Sequence, residues 1–92
     1  MQKVIRHSRR FVKRYKKLPA SVKKVFKEKV VMFLEDHRDV RLGTHKLHGR
    51  DKDKLAFEVT GDIRVVFTLH KEKDRMLITF TFLDIGTHNQ VY

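Results

Sequence analysis

Three kinds of side chain in this 92-residue sequence can move protons or hold an anion near neutral pH. There are six histidines. His45 and His48 flank Leu47 in the stretch THKLHG, and His88 lies in the segment GTHNQVY, which ends in Tyr92. Arg64 stands among apolar neighbours in GDIRVVFTL. A His-x-x-His pair with a third histidine can hold zinc. Here the pair falls in an apparent loop, no carboxylate is suitably spaced and cysteine is absent, so no metal site is expected. The other chemistry open to these residues is general acid–base work on RNA. Metal-free cleavage needs a base for the 2′-hydroxyl, an acid for the leaving 5′-oxygen and a cation to stabilise the phosphorane. Histidine suits either proton role near pH 7. Arginine grips phosphate bidentately without titrating, and an aromatic ring can hold a base by stacking. His45, Arg64, His88 and Tyr92 supply these functions, although spacing alone does not bring them together. For His48 a solvated loop position is the plainer reading.

The charge balance points to the same class of partner. The chain carries 22 Lys and Arg against 11 Asp and Glu, a formal charge of +11. Residues 1–54 hold 18 basic and 6 acidic side chains, whereas residues 55–92 hold 4 and 5. So lopsided a field favours a polyanion: nucleic acid, an anionic membrane face or an acidic protein. The absence of cysteine excludes a disulfide scaffold and thiolate catalysis, and fits a reducing cytoplasm. No run approaches the roughly 18 apolar residues of a membrane span, and MQKVIRHSRR lacks an apolar signal core. Neither a spanning helix nor a secretory signal is expected.

The elements that must position these residues follow from periodicity. Lys3 to His7 reads as an edge strand, and Ser8 as the cap of a helix. Phe11, Val12, Tyr15 and Leu18 fall on one face of that helix, with Arg9, Arg10, Lys13, Arg14, Lys16 and Lys17 around the rest. Pro19 breaks it and suits the start of a second helix, whose stripe is Val22, Val25, Phe26, Val30 and Phe33. The two helices form a hairpin with a shared apolar face. The period then changes from 3.6 to 2. Three strands centred on Leu55–Val59, Ile63–Leu69 and Met76–Phe82 are joined by Thr60–Asp62 and by HKEKDR. The whole is a single α+β domain, with an edge strand and a helical hairpin packed on a twisted antiparallel sheet.

Parity adds detail. Keeping the apolar faces together requires a three-residue loop in the first hairpin, which sets Glu58 opposite Arg64. The second requires an even loop. Four residues, Lys71–Asp74, pair Leu69 with Met76 and set Arg64 opposite Thr81. A polar row Glu58–Arg64–Thr81 then lies away from the helices. A cross-strand Glu58–Arg64 pair would have a structural use as well as a functional one.

From His45 to Tyr92 the chain (HKLHG…LAFEVTGDIRVVFTL…FLDIGTHNQVY) resembles the second half of bacterial RelE/ParE-superfamily toxins, in particular the YafQ-like ribosome-dependent mRNA interferases. The edge strand and the basic hairpin with Leu18-Pro19 resemble them too, so the likeness spans nearly the whole chain. Its most telling piece is the strand ending in Gly86-Thr87-His88 with Tyr92 four residues on. The Gly61–Val66 turn and strand comes next, and the Leu47-x-Gly49 step is weaker. The resemblance implies two helices against a sheet, an active cleft on the sheet's other face, and neither metal nor cofactor. It implies proton transfer by His88, with His45 ahead of the first hairpin, Asp62 in the turn and Arg64 on the strand as further catalytic positions. Tyr92, Glu58, His48, Lys46, Arg9, Arg10, Lys13 and Arg14 are the expected substrate-binding set. Two places depart from the pattern. Glu58 stands where YafQ-like toxins carry a second histidine. Thr81, Asp84 and Ile85 occupy the late-strand stretch where they carry a cation.

The function so implied is that of a type II toxin, a cytoplasmic endoribonuclease cleaving mRNA on the ribosome. Its antitoxin would be a separate chain, the toxin alone a monomer that enters a higher-order complex with it, and no membrane would be involved. The other class is a non-enzymatic binder, either a ParE-like gyrase inhibitor or a toxin-fold RNA-binding protein.

Overall fold

A computed structural model describes residues 1–92. The chain opens with strand β1 (Gln2–His7), then helices α1 (Arg9–Lys16) and α2 (Ala20–Glu35). Short strand β2 (His45–Lys46), strands β3 (Leu55–Glu58), β4 (Ile63–Glu72) and β5 (Leu77–Thr87), and a one-turn helix α3 (His88–Val91) follow. The five strands lie in the order β1-β5-β4-β3-β2. The expected α+β architecture is present, with one correction: the sheet is mixed. β1 runs parallel to β5, with Gln2 beside Leu77 and His7 beside Phe82. The helical hairpin carries the chain back across the sheet, so the first strand takes the edge beside the last one.

Ser8 does what its type suggests. Its hydroxyl accepts from the Phe11 amide at 3.0 Å and donates to the Leu83 carbonyl at 2.7 Å, tying the start of α1 to β5. Pro19 caps α2 from just outside, its carbonyl accepting from the Val22 and Lys23 amides. Both helices turn their aromatic residues onto the sheet. Phe33 is fully buried, with ring centroids 4.7–5.4 Å from Phe57, Phe67, Phe80 and Phe82. Phe11 and Phe26 extend this core toward Phe82. These aromatics all come from alternate positions of β3, β4 and β5 or from the helix stripes, as their periodicity requires.

The first hairpin has the expected register, with Glu58 opposite Arg64. The second differs. Its loop does have four residues, but they are Lys73–Met76, two positions further on. Leu69 therefore faces Phe80, and Met76 sits in the turn with a left-handed backbone, φ 53°. The polar run HKEKDR marks a solvated strand end as much as a loop, so polarity does not locate the tip. A bulge follows. Phe67 pairs with Phe82 and Val66 with Asp84, leaving Leu83 unpaired. That extra residue reverses the alternation, so Ile85 joins the core while Asp84 and Gly86 turn to the other face. Arg64 lies opposite Gly86 instead of Thr81, and the expected Glu58–Arg64–Thr81 row does not form.

Candidate functional site

The sheet face away from α2 carries Ala56 and Glu58 from β3, Arg64 and Val66 from β4, and Asp84 and Gly86 from β5. Ala56, Val66, Asp84 and Gly86 are buried yet lie outside the aromatic core. They are covered by α3, which crosses β4 and β5, and by the segment around β2. Gly86 makes this close approach possible. A Cβ there would meet the Gln90 side-chain oxygen at 2.6 Å, while its backbone has no positive φ. Room for α3, and not freedom to turn, is what this glycine supplies. The same Gln90 oxygen accepts from the Thr87 amide at 2.8 Å and pins the first turn of α3.

One helical turn sets His88 and Tyr92 on the same side. Their ring centroids lie 4.5 Å apart at 86°, edge to face. On its other side Tyr92 lies 6.5 Å from the His45 ring. His45 itself belongs to β2, which pairs with β3, so this residue is in a strand and not in the loop its surroundings suggested. Its Nδ1 is 3.0 Å from the Gly43 carbonyl. A carbonyl only accepts, so Nδ1 carries the proton and Nε2 remains free to take another. Burial pushes the Tyr92 phenol above its ordinary value; Arg64 opposes this and Glu58 adds to it. The tyrosine therefore stays protonated over the Glu58–Arg64 pair.

Arg64 Nη1 approaches Glu58 Oε1 to 3.0 Å. The contact is an ion pair and not a hydrogen bond, so the buried Nη1 donor has no hydrogen-bond partner. Charge is balanced while a donor remains open. His45, Tyr92, His88, Arg64 and Glu58 thus share one face, linked through the tyrosine. Lys46 and His48 are exposed on the rim of an adjoining groove with Leu47 and Asp51, which His45 and Tyr92 also line. Asp62 enters none of these contacts. It is exposed at the tip of the β3–β4 turn, at the end of the sheet where Ile63 pairs with Thr87, and its carboxylate makes no hydrogen bond or ion pair.

The four α1 cations expected to bind substrate, Arg9, Arg10, Lys13 and Arg14, divide. Arg10 and Arg14 point toward β5, where Arg10 Nε lies 3.1 Å and Arg14 Nε 3.4 Å from the carboxylate of Asp84. Arg9 and Lys13 instead line a groove on the outer side with Lys16 and Lys17. Asp84 is 8% exposed and tolerates burial because two guanidiniums and the Ile85 amide meet it. Sequence reasoning missed this cluster. Asp84 interrupts an apolar strand, but only the bulge at Leu83 reveals which way it faces. No three His, Cys, Asp or Glu side chains gather as metal ligands, and no helix is long and apolar enough to cross a membrane.

No family model and no curated protein sequence matches the chain. Solved structures match it in fold. YafQ from E. coli strain BL21(DE3) superposes with a TM-score of 0.73 at 17% identity, over 99% of both chains. The YoeB/ParE toxin from Agrobacterium tumefaciens gives 0.74 at 11%, over 96% of this chain and 99% of that one. A chain of the E. coli DinJ–YafQ toxin–antitoxin complex gives 0.66 at 17%, over 100% of this chain and 99% of that one. From β1 to α3 the protein therefore has the fold of the RelE/ParE-type toxins.

Proposed function

We propose that the protein is the toxin of a type II toxin–antitoxin pair and cleaves mRNA bound to the ribosome. The observation that carries this reading is the seating of Tyr92 between His88 and His45, within electrostatic reach of Arg64, on the sheet face away from α2. His45, through its free Nε2, and His88 exchange the two protons of the reaction between them. One proton leaves the 2′-hydroxyl as it attacks phosphorus, and the other goes to the departing 5′-oxygen. Arg64, whose side chain is 20% exposed, supplies the positive charge that the phosphorane requires. Tyr92 packs against a base or donates its phenolic proton as a hydrogen bond. No cofactor takes part. The cations of α1 grip ribosomal RNA, and a separate antitoxin covers the cleft with an acidic segment, consistent with the partner present in the DinJ–YafQ complex. The protein acts in the cytoplasm, and the free toxin is a monomer.

Purified protein added to ribosomes programmed with a defined mRNA tests the reaction. Discrete cuts with 2′,3′-cyclic phosphate ends support it; intact mRNA contradicts it. The close Glu58–Arg64 contact favours one alternative, a non-enzymatic toxin-fold binder in which that pair is purely structural. Arg64→Ala separates the two. In the ribonuclease, cleavage collapses while the melting temperature falls little, because Glu58 is 45% exposed and stays hydrated. In the binder, ribosome association is retained and the wild-type protein leaves mRNA intact.

A further inference from the structure

The sheet face that carries the Tyr92 cluster continues to the opposite end of the sheet. The extra residue of the bulge belongs to β5, so β4 alternates without a break and Thr68, His70 and Glu72 stand on the same face as Arg64. His70 pairs with Thr79 and Thr68 with Thr81, while Arg6 of β1 lies beside Thr81. Arg6, His70, Glu72, Thr79 and Thr81, with Arg75 from the β4–β5 turn, line a groove of about 330 Å³. Six strand steps, about 20 Å at roughly 3.3 Å per residue, separate His70 from Arg64. Half-buried Thr68, Thr81 and Leu83 form the floor between the two places.

The charges of this groove suit an anion. Both oxygens of its single carboxylate face cations: Glu72 Oε2 lies 3.4 Å from Arg75 Nη1, and Oε1 lies 3.8 Å from His70 Nε2. Glu72 thus holds Arg75 and is itself neutralised. Arg6 has no carboxylate partner, and its neighbours across the groove are the hydroxyls of Thr79 and Thr81. An arginine fork beside hydroxyl donors matches a phosphate. Leu77 is the one apolar residue in the lining, so a protein partner would find no aromatic anchor to bury. A backbone phosphate needs none.

We propose that this groove binds a backbone phosphate of the RNA strand whose other part lies in the Tyr92 cluster, with Arg6 and Arg75 as its ligands. As a second hold on the substrate strand, it rests on the ribonuclease reading. At the roughly 3.4 Å rise of a stacked strand, about six nucleotides cover the distance. A strand shorter than this reaches only one of the two places.

The test needs neither ribosome nor cleavage, so its failure is distinct from failure of the toxin reading. The probes are 2′-O-methyl oligouridylates of two and eight residues, which lack the attacking hydroxyl, and inorganic phosphate. Resonances of Thr79, Thr81 and Tyr92 are followed as each is added to the folded protein. The eight-residue strand is expected to shift all three residues and to bind more tightly than the two-residue strand. Arg6→Gln and Arg75→Gln should each flatten the log–log dependence of its affinity on salt by about 0.7, the value for one phosphate contact to a single strand. Arg38→Gln removes the same charge from the loop after α2 and should leave the slope as in the wild type. Shifts at Tyr92 without shifts at Thr79 and Thr81 would overturn the subsite and leave the reaction standing. An unchanged slope in both groove variants, equal flattening by Arg38→Gln, or equal shifts with inorganic phosphate would overturn it as well.

Discussion

His88 and Tyr92 meet edge to face at 4.5 Å because a single helical turn follows β5, and the Gln90 side chain of that turn packs where a Cβ at residue 86 would stand. The cluster thus rests on the packing of Gln90 against Gly86 as well as on the contacts of its own rings. Small changes beneath α3 should therefore reach the chemistry before they reach global stability.

Gly86→Ala is the direct case. The new methyl displaces the Gln90 oxygen and with it the hydrogen bond to the Thr87 amide. A lost hydrogen bond of this kind is worth about 1 kcal/mol, so thermal melting should shift only modestly. mRNA cleavage should fall more than the melting shift implies, because His88 and Tyr92 lose their common support. Gln90→Ala introduced alongside should relieve the contact with the oxygen and leave only the close 3.2 Å approach of the residue-90 Cβ. Denaturation and cleavage measured on the same preparations check both effects.

Arg9 and Lys13 face outward, whereas Arg10 and Arg14 are engaged by Asp84. The outward pair is the freer to bind RNA phosphates. Converting Arg9 and Lys13 to Gln should flatten the log–log dependence of ribosome affinity on salt by about 1–2 units. The same change at Arg10 and Arg14 should flatten it less. Affinity measured across a salt series decides, and a slope unchanged by the outward pair would remove those residues from the interface.

His37 predicts a pH dependence of stability. Its ring packs at 5.2 Å from Phe80 and 6.0 Å from Phe33, and its Nε2 is buried without a partner. Burial lowers its pKa from the ordinary 6.5. Arg38, Lys3 and Lys71 act in the same direction, and Asp36 opposes them. The unfolded chain therefore takes up this proton at higher pH than the folded one, and stability falls as pH drops below about 6.5. Melting curves from pH 7.5 down to 5 should show a loss that His37→Gln reduces.

Some of this arrangement was legible in the sequence. The Ser8 cap, the aromatic stripes of both helices and the Glu58–Arg64 pairing follow from local chemistry and from counting residues around a three-residue loop. Counting fails where a residue is inserted. The bulge at Leu83 leaves no signal in FLDIG, yet it turns Asp84 from an apparent core position into the anchor for Arg10 and Arg14. The two rows of α1 cations are likewise visible as i, i+4 pairs. Which row faces the sheet depends on where the parallel edge strand β1 delivers the helix, and that is a tertiary fact. The seating of Tyr92 between two histidines also depends on long-range pairing, because β2 and α3 are brought together only by the completed sheet.

Cleavage of ribosome-bound mRNA by His88→Ala, followed alongside its melting temperature, tests the central claim most directly. His88 is exposed and contributes little to the core. The variant should melt as the wild type does and cleave about 10²–10⁴-fold more slowly, the usual cost of losing one proton-transfer group. Cleavage at the wild-type rate by folded His88→Ala would contradict the account.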